Sequence, residues 1–223
     1  MRIRVGIFLW ICSITSALAA VTITTREEWG AKPALLKRTP PIDQVKSGPL
    51  RVKSENTMPL RGTAKYLTVH HTGTPYKPQP FDLYLKNFQA LMQRGYEIDS
   101  GAYKTQVYLG DVPYHFFIDE TGLVAAGREL KFAAYSNTVY ATPIEQHITV
   151  VLKGNFESQE PTPQQLSSLT DLLERLAREH AVPLRNIGYH KMAAVKGSTS
   201  CPGINVISKM ETITQNLAQR GIR

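Results

Sequence analysis

The chain has 223 residues, with 26 Lys and Arg against 18 Asp and Glu and a formal net charge of +8. That is enough length for one domain with a substantial core, but a basic surface suits an anionic cell envelope, nucleic acid or plain solubility equally. Two cysteines, Cys12 and Cys201, exclude a scaffold stapled by several disulfides, and the lack of a Gly-rich phosphate loop or a clustered aromatic-basic stretch argues against nucleotide and nucleic-acid partners.

Arg2 and Arg4 precede an apolar run that ends at Ala17-Leu18-Ala19, the pattern of a secretory signal peptide over 1–19. The run is short for a spanning helix, and Ile11 stands where a lipoprotein signal needs a small residue before Cys12. The expectation is export to a periplasm or the exterior, with one domain over 20–223 and no stable membrane span after cleavage. The mature chain then carries a net charge of +6 and one cysteine, Cys201. A lone thiol in an oxidising compartment needs burial, a metal or a catalytic role, and the surrounding GSTSCPG is not the setting of a buried strand or helix.

Thr25-Arg26-Glu27-Glu28-Trp29 has capping-box spacing and opens a short helical turn. Residues 36–63, with Pro40-Pro41, Gly48-Pro49 and several basic residues, read as a long loop, and 65–72 as a strand. Phe81, Tyr84, Leu85, Phe88, Leu91 and Met92 recur at helical spacing up to Gly95, and polar 97–111 reads as a second long loop. VPYHFFID and GLVAAGRE flank Glu120-Thr121 as a hairpin, and ITVVLKG over 148–154 is a third strand. Thr162-Pro163-Gln164-Gln165 supplies a cap, a first-turn proline and a capping-box Gln for a helix bearing Leu166, Leu169, Leu172, Leu173 and Leu176 on one face. A short strand at NIGYH and a last helix near 205–220 complete a mixed α/β domain, a central mixed sheet flanked by about three helices.

His180 falls at a helix end, where it suits the dipole, and His147 at a strand entrance, where it reads as a surface residue. His70 or its neighbour His71 ends one strand, His190 ends another, and Cys201 follows in a small-residue loop. Two imidazoles and a thiolate, with water in the fourth position, make a reasonable tetrahedral catalytic zinc site, although this spacing matches no fixed metal-finger signature.

YLTVHHTGTP, VPYHFFIDETGLVAAGRE, ITVVLKGNF, TPQQLSSLTDLLERL and GYHKMAAVKGSTSCPG resemble, in order, the segments of the zinc N-acetylmuramoyl-L-alanine amidases. That superfamily includes the peptidoglycan recognition proteins and the phage lysozyme-type amidases. ITTREEWGAKPA is similar to the N-terminal segment of the recognition-protein branch, so the likeness spans roughly residues 22–204.

The resemblance implies one Zn²⁺ per chain held by His70, His190 and Cys201, with His71 on the opposite strand face. It implies catalytic roles for Tyr114, hydrogen-bonded to the reacting centre, and for Thr199, donating to the oxyanion. It also implies substrate contacts for His115 and Tyr135, and a peptidoglycan or muropeptide substrate cut between the lactyl group and L-Ala.

The sequence departs from the family in places. Ten residues separate His190 from Cys201 where the recognition-protein branch usually has seven, and Tyr135 stands where a substrate-contacting histidine is usual. Val151 and Lys153 occupy the neighbourhood of the glutamate that another branch uses, which points to the tyrosine-using branch. Two other readings share these residues: a non-catalytic peptidoglycan-binding module, which usually lacks the cysteine ligand, and a cysteine hydrolase using Cys201 and His190.

Overall fold

Residues 66–71 show how this sequence builds a sheet. Leu67 and Val69 point to one side and are fully buried among aliphatic residues, while Thr68 and His70 point to the other and are buried among polar ones. The computed structural model describes residues 21–36, 51–52, 58, 61–99, 104–136, 138 and 140–223, and the expected signal peptide over 1–19 lies outside them.

In chain order the strands are β1 (Ile23–Thr24), β2 (Arg51–Val52), β3 (Tyr66–His71), β4 (Tyr96–Asp99), β5 (Lys104–Val107), β6 (Phe116–Ile118), β7 (Val124–Ala126), β8 (His147–Leu152) and β9 (Ile187–Tyr189). The helices are α1 (Phe81–Arg94), α2 (Pro163–His180), the short α3 (His190–Ala193) and α4 (Ile204–Ile207), and α5 (Met210–Gln219). Six strands form one mixed sheet in the order β1-β7-β6-β8-β3-β9, in which the β6–β7 hairpin is the antiparallel pair. The mixed α/β architecture expected from the alternation of strand and helix patterns is therefore present.

The helices cover both sheet faces. Leu169, Leu172, Leu173 and Leu176 of α2, with Ile213 and Leu217 of α5, pack on Leu67, Val69, Ile148 and Val150. Leu85 of α1, together with Trp29, packs on Phe117, Ala125 and Val151 across the sheet. Helix α2 begins where its sequence says it should: Thr162 Oγ1 accepts the Gln165 N–H at 3.0 Å, and Gln165 Oε1 accepts the Thr162 N–H at 3.1 Å. Such a cap is worth about 1 kcal/mol.

Three expectations need correction. The stretch 97–111 is not a plain loop, because β4 and β5 pair antiparallel from Tyr96↔Val107 to Asp99↔Lys104, and β2, inside the 36–63 stretch, joins β5 in parallel. These strands are two to four residues long and mostly polar, too short for period-two alternation to stand out from the sequence. His190 does not end its strand but opens α3. The last helix is interrupted at Ser208-Lys209, which divides it into α4 and α5.

Candidate metal centre

Two adjacent parallel strands place the histidines. β3 pairs with β9 through Leu67↔Ile187, Thr68↔Gly188 and Val69↔Tyr189, and the next pair in that register is His70 beside His190. Their ring centroids are 4.5 Å apart. The chain then turns through α3 and a loop and comes back, with the Lys191 N–H donating to the Cys201 carbonyl at 2.8 Å and the His71 N–H reaching Cys201 Sγ at 3.4 Å. Gly203 makes this return possible: its φ is +90°, and a Cβ there would lie 2.3 Å from the carbonyl carbon of Phe156.

Among the described residues, His70, His190 and Cys201 form a group whose ligand atoms all lie within 4.8 Å of one another. All three residues are buried. The remote nitrogens are occupied: His70 Nε2 lies 2.8 Å from the Tyr140 hydroxyl, and His190 Nε2 lies 3.0 Å from Ser136 Oγ and 2.5 Å from Thr138 Oγ1. The Nδ1 atoms are placed differently. His190 Nδ1 is buried with no hydrogen-bond partner, and His70 Nδ1 sits 3.7 Å from Cys201 Sγ.

These residues fit a zinc ion. The 3.7 Å separation is close to the edge of about 3.5 Å that Zn–N and Zn–S bonds subtend in a tetrahedron. A buried imidazole nitrogen without a partner is costly unless something binds its lone pair.

Electrostatics point the same way. Burial, then the neighbouring His190, His147, His71 and His115, hold His70 well below the usual histidine range, so it is neutral with a lone pair to give. Burial likewise lowers His190 to about 4. Burial pushes the Cys201 thiol up to about 12 against the opposing pull of the His71 N–H, so the protein groups alone favour the thiol over the thiolate.

Tyr114, just before β6, brings its ring to 4.9 Å from that of His70. Burial and then Cys201 raise its phenol well above the usual range, which keeps it a proton-bearing donor. Arg128 fixes the chain on either side of this tyrosine by donating to the carbonyls of Leu109, Val112 and Ala133 at 2.8, 2.8 and 3.1 Å. Thr199 Oγ1 accepts the Cys201 N–H at 3.1 Å, which leaves the threonine's own hydroxyl proton to donate elsewhere.

A family model described as N-acetylmuramoyl-L-alanine amidase matches residues 60–204, a span that contains His70, Tyr114, His190, Thr199 and Cys201. The chain belongs to the N-acetylmuramoyl-L-alanine amidase family. Peptidoglycan-recognition protein SC2 of Drosophila simulans is 25% identical to it over 209 residues, covering 92% of this chain and 94% of that protein. Among solved structures, the N-acetylmuramoyl-L-alanine amidase LysC from Clostridium intestinale is similar with a TM-score of 0.53 at 21% identity, over 77% of this chain and 99% of LysC. Peptidoglycan recognition protein-LE, solved in complex with tracheal cytotoxin, a monomeric diaminopimelic acid-type peptidoglycan, aligns with a TM-score of 0.55 at 19% identity, over 87% and 94% of the two chains. The fold is thus that of the amidases and recognition proteins, as the sequence motifs implied.

Not every residue expected at this amidase-family site stands there. His115 is a correction: it is 1% exposed, its Nδ1 accepts the Thr149 N–H at 3.0 Å and its Nε2 meets the Phe132 carbonyl at 3.0 Å. With both nitrogens occupied inside the sheet, it ties β8 to the chain before β6 and presents nothing to a substrate. Tyr135 is half-buried and lines a cleft of about 490 Å³ with Ser136, Thr138, Tyr140 and Thr142. His147 is no surface residue: it is 1% exposed, bridges Thr68 Oγ1 at 2.7 Å and Thr142 Oγ1 at 2.8 Å, and stacks on Tyr66.

Sequence reasoning missed Ser136, Thr138 and Tyr140 altogether. Their one signal is hydroxyls at every second position, continued by Thr142, a spacing that an extended chain presents on one side.

Proposed function

We propose that this protein is an exported zinc-dependent amidase that hydrolyses the bond between the lactyl group of N-acetylmuramic acid and the L-Ala of the peptide stem, in peptidoglycan or in muropeptides. The observation that carries the reading is the inward cluster of His70, His190 and Cys201, with His190 Nδ1 buried and unpartnered. Family membership supplies the reaction class, and the ligands named for the recognition-protein relatives supply the substrate class.

His70, His190 and Cys201 would hold one Zn²⁺, which when bound polarises the scissile carbonyl and acidifies water. The chain's own groups supply the rest. Tyr114 keeps its phenolic proton and donates it as a hydrogen bond toward the reacting carbonyl or the attacking water beside His70. Thr199, whose Oγ1 accepts the Cys201 N–H, offers a second donor beside the cysteine. The uncharged cleft beside Tyr135 is a surface against which an uncharged sugar or peptide backbone packs. No helix of the described residues is long and apolar enough to cross a membrane, and export rests on the N-terminal segment over 1–19.

Chemistry at Cys201 itself is disfavoured, since a nucleophilic thiolate needs a lowered pKa and burial here raises it to about 12. The test is metal content with product analysis. Purified protein is expected to carry about one zinc per chain, and to release stem peptides with a free L-Ala amino group from purified cell wall. Protein without zinc, whose activity survives a strong chelator, would overturn the reading in favour of the cysteine hydrolase. Zinc without any release would leave a binding module.

A further inference from the structure

Among the described residues, those that hold the histidines from behind come from one short segment between β7 and β8. Ser136 and Thr138 stand at His190 Nε2, and Tyr140 stands at His70 Nε2. The segment is anchored beside the site by a backbone bridge between Tyr140 and Ala194 and by the Ala141 N–H donating to the Ala193 carbonyl at 2.8 Å. Those partners lie at the end of α3, whose first residue is His190. Tyr140 also stacks on the His190 ring, with centroids 5.1 Å apart and planes at 27°. One strap therefore touches both imidazoles and is fastened to the helix that carries one of them.

Neutral imidazole has one N–H and one lone pair, so the nitrogen that faces a metal is decided by what the other nitrogen does. For both Nδ1 atoms to turn a lone pair toward Cys201, both Nε2 atoms must carry the proton and donate it. Among the described residues, the polar atoms recorded at those two Nε2 atoms are the three hydroxyl oxygens. Hydroxyls are weaker acceptors than the carboxylates often found behind metal-binding histidines, and two of them converge on His190.

We infer that Ser136, Thr138 and Tyr140 are positioning residues that accept the Nε2 protons of His190 and His70, fix the Nδ1 atoms as the metal-facing ones, and thereby set the affinity of the site for zinc. This rests on the zinc reading for affinity, but its statement about His190 in the metal-free chain does not.

The test uses the full mature chain in three variants. Tyr140→Phe keeps the ring stacked and removes the acceptor, Ser136→Ala with Thr138→Val removes both acceptors at His190, and Ser136→Ala with Thr138→Ser restores one. Zinc affinity is measured by competition with a chromophoric chelator, and the melting temperature of the metal-free chain reports folding. Tyr140→Phe and the Val double variant are each expected to bind zinc roughly 10- to 100-fold more weakly, while the Ser double variant stays within about threefold of wild type. A structural role alone would not restore affinity through one hydroxyl. If Tyr140→Phe fails to fold, the two double variants decide.

Imidazole ¹⁵N NMR of the metal-free chain provides the separate readout. His190 is expected as the Nε2–H tautomer in wild type and in the Ser double variant, and as a mixture in the Val double variant. Wild-type zinc affinity in folded Tyr140→Phe and in the Val double variant would overturn the inference, as would an Nδ1–H tautomer of His190 in wild type. A wild-type chain that takes up no zinc but shows the expected tautomers would overturn the amidase reading and the affinity claim, and uphold the orienting role.

Discussion

His70 and His190 lie 120 positions apart in the chain, and their rings meet at 4.5 Å because Val69 on β3 is the register partner of Tyr189 on β9. The site is thus a consequence of parallel pairing between two neighbouring strands, and any change that slips that register by one residue separates the pair. His71, one residue on, points to the other side, where its ring lies 6.2 Å from that of Phe156 and its Nδ1 accepts the Phe156 N–H at 3.2 Å.

The first prediction follows from that division of faces. His70→Ala should fold and lose zinc, whereas His71→Ala should keep zinc and lose stability by about 1–3 kcal/mol, the usual cost of leaving a buried donor such as the Phe156 N–H unpaired. The Cys201 contact survives in His71→Ala because it comes from the backbone N–H. Zinc content and a urea midpoint for each variant suffice; loss of zinc in His71→Ala alone would move the ligand set by one residue.

Tyr114→Phe isolates a single hydrogen bond. The ring keeps its place against His70 and its edge contact with Phe117, so fold and zinc content should not change. Turnover on peptidoglycan should fall roughly ten- to a thousandfold, as expected for losing one transition-state donor. Thr199→Val should act in the same direction and more weakly. Undiminished turnover in Tyr114→Phe would reduce that tyrosine to packing.

These two predictions bear on residues that the sequence already singled out, and the reason is physical. His70 sits near the end of its strand, His190 directly after one and Cys201 in a small-residue loop, and their flanking words are distinctive, so chemistry and place coincide in the linear chain. Helix α2 was legible because Thr162 and Gln165 write its first turn locally. His147 was not, because its partner Thr68 lies 79 residues away and only the β3–β8 register brings them together. Ser136, Thr138 and Tyr140 were invisible for the same reason: a hydroxyl in an irregular segment acquires a role only when the fold brings an imidazole nitrogen to it. His115 was misplaced because its neighbour Tyr114 does face His70, and the next side chain along the chain, just before β6, turns into the sheet.

Gly203 gives a prediction about how the cysteine is delivered. Its φ of +90° disfavours any side chain, and a Cβ would collide with the Phe156 backbone at 2.3 Å. Gly203→Ala should therefore lower stability by at least about 2 kcal/mol, and weaken zinc binding by shifting Cys201 two residues upstream. Gly197→Ala is the control, since that glycine also has positive φ but no atom within 4 Å of its Cβ position. If both variants melt alike, backbone strain alone and not the contact with Phe156 is responsible.

The last prediction concerns acid. Burial holds His115 at about 3 in the folded chain, against about 6.5 when unfolded, so between those values the unfolded state binds the extra proton. Stability from this residue is complete above pH 6.5 and declines as pH falls toward 3, by about 1.4 kcal/mol per unit. His147, lowered by burial to about 4, adds to the slope with the same sign. Removing titration at one site should flatten the curve: in His115→Gln, the loss of urea midpoint between pH 7 and pH 5 should be visibly smaller than in wild type, even though the variant is less stable at pH 7 because it gives up the bonds to Thr149 and Phe132. Measuring both proteins without zinc removes zinc binding from the comparison and leaves His70 and His190 contributing alike to both curves, and parallel curves would mean that His115 takes up its proton in the folded state.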